Sequence, residues 1–344
     1  MASSVTRGGT GSCVLVVTLA VALPLAGCSG SGPDSTETGS PSAGATPEDS
    51  RANASLPPSG PSPDCDGPCY GEPDTVGTLA EETVVEVSGM AASVRTPGLY
   101  YVVSDEPGTS EVAVVREDGT PVARLELAGM DAENAEALAV GPCDDDPDAS
   151  CLYVGDIGDH VGRDHVTVYR APEPDLDDPP ASVDADALEF GYEDGPTDAE
   201  ALFVDSDGRP LVVSKAPFDR DTGETGGTRL YRGPADGGEL ALLAEIELPE
   251  PENGFLAGLV GNVVTDASAS LAAGRVLLRT YDEVLEYRAP EPGADVASFP
   301  DWPLRRVPAG DVLQAESVAY TVDGCGYLTT SELTGAIDAV RCTG

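Results

Sequence analysis

The chain has 344 residues, with 61 Asp and Glu against 18 Lys and Arg, and a formal net charge of −43. A surface this acidic repels phosphate backbones, which excludes nucleic acid as a partner. Aromatic residues make up only 5% of the chain, whereas Gly and Pro number 40 and 30, which is typical of short strands and turns rather than long helices.

Residues 1–27 are predicted to be a lipoprotein signal peptide. The apolar stretch from Cys13 to Leu25 is interrupted by Pro24 and is too short to span a bilayer as a stable helix. It ends in Leu25-Ala26-Gly27-Cys28, which resembles the lipobox of bacterial lipoproteins. That resemblance implies cleavage before Cys28, a diacylglycerol on its sulfur and an anchor in the outer face of the cell membrane. The alternative is an ordinary secretory signal with a chance cysteine.

Residues 28–63 form the predicted linker, which begins with the lipidated Cys28. The segment is rich in Ser, Gly, Pro and Thr and has no apolar period, so it cannot bury a core. We expect a flexible tether that holds a single folded domain, residues 64–344, away from the membrane.

A short unit recurs along this domain: a polar residue, an apolar run, a turn and a second apolar run. The clearest copies begin at Glu136, Glu200 and Glu316, and weaker copies begin at Ser88 and Val260. Their spacing leaves room for about four short strands each. The pattern therefore predicts an all-β fold, a five-bladed β-propeller, with six blades as the alternative if one long unit hides a split.

The last unit shows only three strand candidates before the chain ends. A propeller explains the shortfall, because a strand from the segment Asp74 to Val87 can supply the missing outer strand and close the ring. The domain should then fold as one cooperative body.

Six cysteines remain once Cys13 leaves with the signal and Cys28 carries lipid, and an even number favours disulfides in an oxidising compartment. A rival arrangement links Cys65 or Cys69 to the C-terminal pair. The spacing lacks two CxxC pairs, which disfavours zinc. The predicted bridges are Cys65–Cys69, Cys143–Cys151 and Cys325–Cys342.

The first residues of the units should meet on the propeller axis, because the innermost strand of each blade lines the channel. Converging carboxylates must share protons or hold a cation, and oxygen ligands suit a hard cation such as Ca²⁺. Val260 or a neighbour would fill the fifth place. The predicted metal ligands are Ser88, Glu136, Glu200 and Glu316.

The ends of the second strands should form a layer behind this ring. Lys215 and Arg279 fall in adjacent units, where the two side chains could hold a phosphate or carboxylate group. The alternative is an internal network of ion pairs that seals the channel. The other members of this predicted layer are Asp105, Asp156 and Glu332.

The axial Ser and Glu pattern resembles the calcium-activated nucleotidase (apyrase) family. That resemblance implies a five-bladed propeller with a central calcium that hydrolyses nucleoside di- and triphosphates, although Val260 departs from the pattern. The chain as a whole is similar to uncharacterised actinobacterial propeller lipoproteins, which implies no settled activity. The segments that carry this similarity are Cys151–Asp159, Val168–Pro174 and Leu328–Glu332.

Two functions follow from these patterns. The first is a membrane-anchored, extracytoplasmic binding or scaffold module, a monomer with an axial calcium and an unknown protein or small-molecule ligand. The second is a Ca²⁺-dependent phosphoanhydride or phosphoester hydrolase, apyrase- or phytase-like, with Lys215 and Arg279 on the substrate. A Ser/His/Asp triad is disfavoured because no Gly-x-Ser-x-Gly elbow is present. The Gly155–His160 loop is either a second calcium site or, as turn chemistry favours, a tight turn.

Overall fold

The computed structural model describes residues 69–143, 149–159, 162–219, 221–310 and 312–343. The predicted signal peptide, the lipidated Cys28, the linker and Cys65 lie outside the described residues and stay predictions. In the described part of the chain, no helix has both the length and the apolar character needed to cross a bilayer.

The structure is a β-propeller, and its described strands pair into one eight-stranded, one five-stranded, two four-stranded and one two-stranded sheet. Grouping the strands by the innermost strands, which contact one another in a ring, gives the sets that we call blades 1 to 5, of which blades 2 and 3 share the eight-stranded sheet. Blade 1 consists of β2 (Val87–Ala92), β3 (Leu99–Ser104), β4 (Glu111–Arg116) and β5 (Pro121–Ala128). Blade 2 consists of β6 (Ala135–Pro142), β7 (Ser150–Asp156), β8 (Val166–Pro172) and β10 (Asp186–Tyr192). Blade 3 consists of β11 (Ala199–Val204), β12 (Pro210–Ser214), β15 (Thr228–Arg232) and β16 (Gly238–Ile246).

The remaining sets follow the same plan. Blade 4 consists of β17 (Val264–Ser270), β18 (Arg275–Thr280), β19 (Val284–Arg288) and β20 (Leu304–Val307). Blade 5 consists of β21 (Ala315–Tyr320), β22 (Gly326–Ser331), β23 (Ala336–Arg341) and β1 (Asp74–Thr78). The short strand β9 (Ser182–Asp184) pairs in parallel with β5 at the edge of the blade 1 sheet. Outside the blades are β13 (Phe218–Asp219), β14 (Glu224–Thr225), the short helix α1 (Ala257–Val260) and a 3₁₀ helix (Val296–Asp301).

The innermost strands form a closed ring. β2 contacts β6, β6 contacts β11, β11 contacts β17, β17 contacts β21, and β21 contacts β2. Because each innermost strand has neighbours on both sides, its residues are buried on both faces, as all six residues of β11 are. This ring brings the N-terminal ends of five strands together around one axis.

Apolar side chains fill the spaces between successive blades. Tyr101 and Leu138 belong to one cluster joining blades 1 and 2, and Phe203 packs edge-on against Phe299 in the cluster joining blades 3 and 4. Each fully buried aliphatic or aromatic side chain contributes about 1.5–3 kcal/mol relative to exposure. No blade buries its faces alone, so the ring is stable only as a whole.

The N-terminal strand closes the ring, as predicted. β1 lies antiparallel to β23 as the outermost strand of blade 5, with Asp74 opposite Ala339. The chain just before β1 is tied to the C-terminus as well, since Tyr70 pairs with Cys342 in an isolated bridge. The first and last described strands of the domain therefore belong to one blade.

Two predicted disulfides are confirmed. Cys143 is bonded to Cys151 and Cys325 to Cys342, with Cα–Cα distances of 5.3 and 5.4 Å. Both bridges span neighbouring strands of one blade, which is why local pairing prevails over a link between chain ends. The predicted Cys65–Cys69 bridge includes a residue outside the described ranges.

Candidate axial site

The predicted axial residues share one structural position. In each innermost strand the pairing with the second strand shifts register at this residue, so that an extra residue bulges from the ladder. A bulge re-aims a side chain away from the regular alternation of the strand. The bulged residues are Ser88 in β2, Glu136 in β6, Glu200 in β11 and Glu316 together with Ser317 in β21.

The fifth axial position belongs to Thr265, which the sequence interpretation missed. Val260, the residue expected there, lies in α1 before the strand begins. The pairing of β17 with β18 shifts between Val264 and Asp266, which places Thr265 at the bulge. Its Oγ1 donates to the carbonyl of Ala315 at 2.9 Å. The error arose because the apolar run of the preceding loop imitates the start of a strand.

Ser88 and Glu136 contact each other at the opening. Ser88 Oγ donates to Glu136 Oε2 at 2.5 Å, and Asn134 Nδ2 donates to Glu136 Oε1 at 2.7 Å. Gly158 allows this approach, because a Cβ there would stand 1.9 Å from Asn134 Nδ2. Both oxygens of Glu136 therefore already accept hydrogen bonds from the protein.

Glu200 holds the only lysine of the chain. Lys215 Nζ donates to Glu200 Oε1 in an ion pair and also to the hydroxyl of Tyr281 at 3.3 Å. Burial alone would lower the pKa of Lys215, but the adjacent Glu200 carboxylate outweighs it and the pKa is raised. Within the described residues, Glu200 Oε2 is buried and has no hydrogen-bond partner.

Glu316 adds a second strongly perturbed carboxyl group. Burial raises its pKa well above the usual range, and the nearby Glu200 raises it further, as does a carboxyl–carboxyl hydrogen bond with Glu332. Burial also raises the pKa of Asp105 to about 7, with a further contribution from Glu136. We call Asp105, Glu136, Glu200, Glu316, Glu332 and Lys215 the axial cluster.

Two backbone conformations next to this cluster are strained. Glu86 and Gln314 have φ values of 50° and 48°, and each lies two residues before an axial residue. Gln314 Nε2 donates to Glu332 Oε2 at 2.9 Å, so this conformation directs a polar side chain to the cluster. Left-handed backbone at residues other than Gly is uncommon and concentrates at functional sites.

The layer behind the ring differs in part from the expectation. The residue after each second strand occupies an equivalent position, and strand pairing makes Tyr281 the equivalent of Lys215, because Thr280 is opposite Val264 as Ser214 is opposite Ala199. By the same register Ile157, not Asp156, is the blade 2 member. Asp105 and Glu332 lie where they were expected.

Asp156 forms hydrogen bonds with residues of its own blade and of the loop before it. Its Oδ1 accepts hydrogen bonds from Arg163 Nη1 and from the backbone N–H of Asn134, both at 2.9 Å. The neighbouring Asp159 accepts from the backbone N–H groups of Gly162 and Arg163, both at 2.7 Å. These bonds are those of a tight turn, and they engage both oxygens of Asp159.

Arg279 lies inside the propeller rather than at the opening. It is 0% exposed, and within the described residues its Nε, Nη1 and Nη2 have no hydrogen-bond partner. Burial lowers its pKa to about 10, although nearby groups including Glu316 and Asp338 oppose that shift. The same face of β18 carries Leu277, which packs in the cluster joining blades 4 and 5.

The four predicted metal ligands are thus at equivalent positions but in different local contacts. Among the described residues, no three His, Cys, Asp or Glu side chains are grouped so that they could hold a metal ion. Ser88 contacts Glu136, and Lys215 contacts Glu200. Glu316 lies close enough to Glu200 for the Glu200 charge to raise the pKa of Glu316. The arrangement concentrates negative charge at the opening and neutralises part of it with one lysine.

Comparisons with known proteins give structural likeness alone. No protein-family model and no curated protein matches the chain. The RRP9 WD40 repeats are 15% identical, cover 74% of this chain and 67% of their own, and give a TM-score of 0.36. A nidogen/laminin complex is 12% identical over 74% of each chain, with a TM-score of 0.40. Kuenenia stuttgartiensis hydrazine synthase is 12% identical over 71% and 68%, with a TM-score of 0.37. None of these likenesses identifies a family for the chain.

Proposed function

We propose that this protein is a membrane-anchored, extracytoplasmic binding module, a five-bladed propeller whose axial cluster takes up a hard cation such as Ca²⁺. Lipid on Cys28 would provide the anchor, and residues 28–63 the tether. The two disulfides support an oxidising compartment. The ring of contacts among β2, β6, β11, β17 and β21 supports the number of blades.

The observation that carries the proposal is the excess of buried carboxyl groups over cations at the opening. The axial cluster has five acidic side chains and one lysine, and three of the five, Glu136, Glu200 and Glu316, are buried. Burial and mutual repulsion raise the pKa values of Asp105, Glu200 and Glu316. Groups in this situation bind protons or a cation. Oxygen donors alone favour a hard cation over zinc or a redox metal.

The available oxygens decide where a cation would bind. Both oxygens of Glu136 accept hydrogen bonds, whereas Glu200 Oε2 has no partner among the described residues. Burial and the neighbouring Glu200 and Glu332 raise the pKa of Glu316. Because no three carboxylates of the described residues are grouped to hold a metal ion, the proposed cation would have Glu200 Oε2 as its protein ligand, with Glu316 nearby and water as its other ligands. Lys215 is the protein's own counter-charge beside it.

Thermal unfolding with Ca²⁺ and with a chelator tests the proposal. We expect a higher melting temperature with Ca²⁺, and we expect Glu200→Gln to abolish the difference because it removes a carboxylate from the proposed site. Glu126→Gln is the matched control, since Glu126 is an exposed residue of β5. Equal melting of the wild-type protein under both conditions would overturn the cation site.

No observation favours the hydrolase over the binding module. Arg279 is fully buried, so of the two predicted substrate-binding side chains only Lys215 faces the opening, and it is paired with Glu200. Release of phosphate from nucleoside triphosphates in the presence of Ca²⁺ would reverse this preference.

A further inference from the structure

One end of the propeller carries all the axial residues, and we call it the axial face. It consists of the loops that precede the innermost strands and the loops that follow the second strands, because paired antiparallel strands start and end together there. In blades 4 and 5 these loops are residues 247–263, 281–283, 308–314 and 332–335.

The most exposed large apolar side chains of the described residues lie in these loops. Phe255 is 69% exposed, Leu333 60%, Leu259 55% and Leu313 52%. Single exposed apolar residues are ordinary, but the four most exposed ones lie in loops at the same end of two neighbouring blades, which makes this end the candidate interaction surface.

The loop that presents Phe255 and Leu259 is held in place. Asp282 Oδ2 accepts from the backbone N–H of Ala257 at 2.7 Å, and Asp282 Oδ1 accepts from that of Leu256 at 3.2 Å. Gly261 lies directly against the side chain of Phe218, because a Cβ there would stand 3.0 Å from it. A surface fixed in this way loses little conformational entropy when a partner binds.

The loops themselves carry charge of one sign, and Arg306 of β20 contacts Glu283 and the carbonyl of Glu250 beside them. By sequence, the four loops contain seven Asp and Glu residues and no Lys or Arg. Glu283 is ion-paired with Arg306 at 2.9 Å. Glu247, Glu250 and Glu252, in contrast, are exposed on the loop that carries Phe255. A complementary ligand must therefore be positively charged as well as apolar.

We propose that the axial face of blades 4 and 5 binds a cationic polypeptide segment of another protein, one that carries Leu or Phe side chains flanked by Lys or Arg. The chain's own linker does not fit, because residues 29–63 contain four acidic residues and one Arg. A second copy does not fit either, because it carries the same net charge of −43. The inference rests on the proposed binding function but not on the axial cation.

Titration of the full chain with three labelled peptides, followed by fluorescence anisotropy, tests the inference. The first peptide is Lys-rich and contains Leu and Phe, the second has the same charge with Ser in place of Leu and Phe, and the third is Glu-rich with the same apolar residues. We expect the first peptide to bind at least about tenfold tighter than either of the others. Equal binding of the first two, or no binding of the first, would overturn the proposal.

Two double variants locate the site. Phe255→Ser with Leu259→Ser should weaken binding of the first peptide about tenfold. Leu242→Ser with Leu243→Ser, two exposed positions of β16 outside the axial face, should leave it unchanged. An equal loss in both double variants, or in neither, would contradict the assignment.

The titrations are performed with Ca²⁺ and with a chelator, which separates the two proposals. Loss of peptide binding with an intact Ca²⁺ effect on melting would overturn only the docking surface. Peptide binding without any Ca²⁺ effect would support the docking surface and remove the cation site.

Discussion

The residue on which the axial cluster depends most is Lys215. It is the one cation of the cluster and contacts both Glu200 and Tyr281, from blades 3 and 4. The side chain of Lys215 is 23% exposed and that of Glu200 is 5% exposed. Because water barely reaches the Glu200 carboxylate, the Lys215 ammonium is the main group that stabilises its negative charge. A buried charge that loses its partner destabilises a protein far more than a surface charge does.

Substitution of Lys215 by Met therefore has a definite expected cost. Lys215→Met should lower the free energy of unfolding by about 2–4 kcal/mol, because it leaves Glu200 buried beside Glu316 without a counter-charge. Urea denaturation at neutral pH measures the change.

The double variant supplies the control for this prediction. Lys215→Met with Glu200→Gln should recover much of the lost stability, since the uncompensated charge is then absent. A double variant that is less stable than the Lys215→Met variant would show that the lysine acts through packing rather than charge.

At the scale of the strand, the bulge explains how much of the site the sequence could predict. The repeated Glu before an apolar run marked Glu136, Glu200 and Glu316, because the bulge falls at the same place in each innermost strand. Thr265 could not be recognised in this way, since a hydroxyl replaces the carboxylate and an apolar loop precedes it. Because the start of blade 4 was misplaced, the predicted position after β18 was two residues too early, so Arg279 was expected where the structure has Tyr281.

The closing strand was predictable for a different reason. The last unit lacked a strand, and only the segment before the first unit could provide one, so topology alone placed β1 in Asp74–Val87. What the sequence could not show is how closely β1 approaches its neighbours. That depends on Gly77, where the pairing with β23 is irregular.

Gly77→Ala tests the importance of this close approach. A Cβ at Gly77 would stand 2.0 Å from the carbonyl oxygen of Asp118, which is backbone and cannot rotate away. We expect a loss of about 2–4 kcal/mol in the free energy of unfolding, because either β1 or the 117–120 turn must shift.

Gly227→Ala is the matched control, since nothing lies within 4 Å of the Cβ position and its φ is not positive. This variant should change the stability by no more than about 0.5 kcal/mol. Comparable stability of the Gly77→Ala and Gly227→Ala variants would mean that the closing strand tolerates displacement.

For the whole molecule, closure of the ring makes the acidic opening unavoidable. Five innermost strands begin at one end, and three of them begin with Glu at the bulge. The chain as a whole supplies few cations to balance them. The same closure buries tyrosines throughout the blades, and these groups govern how the molecule responds to alkaline pH.

Buried tyrosines should make the propeller sensitive to high pH. Burial raises the pKa of Tyr287 to about 12, and burial followed by repulsion from Glu117 raises the pKa of Tyr100 to about 12. The unfolded chain releases these protons near pH 10, whereas the folded protein holds them. Each such tyrosine thus contributes stability that is complete below about pH 10 and is lost as the pH rises towards 12.

The expected loss is about 2–3 kcal/mol for each of these two tyrosines, from the difference between the folded and unfolded pKa values. Urea denaturation between pH 8 and 12 measures it, and tyrosinate absorbance should rise together with unfolding rather than before it. Tyr287→Phe should have a shallower decline of stability with pH, because burial is the cause of that shift. A decline parallel to that of the wild-type protein would show that Tyr287 ionises without unfolding the blade.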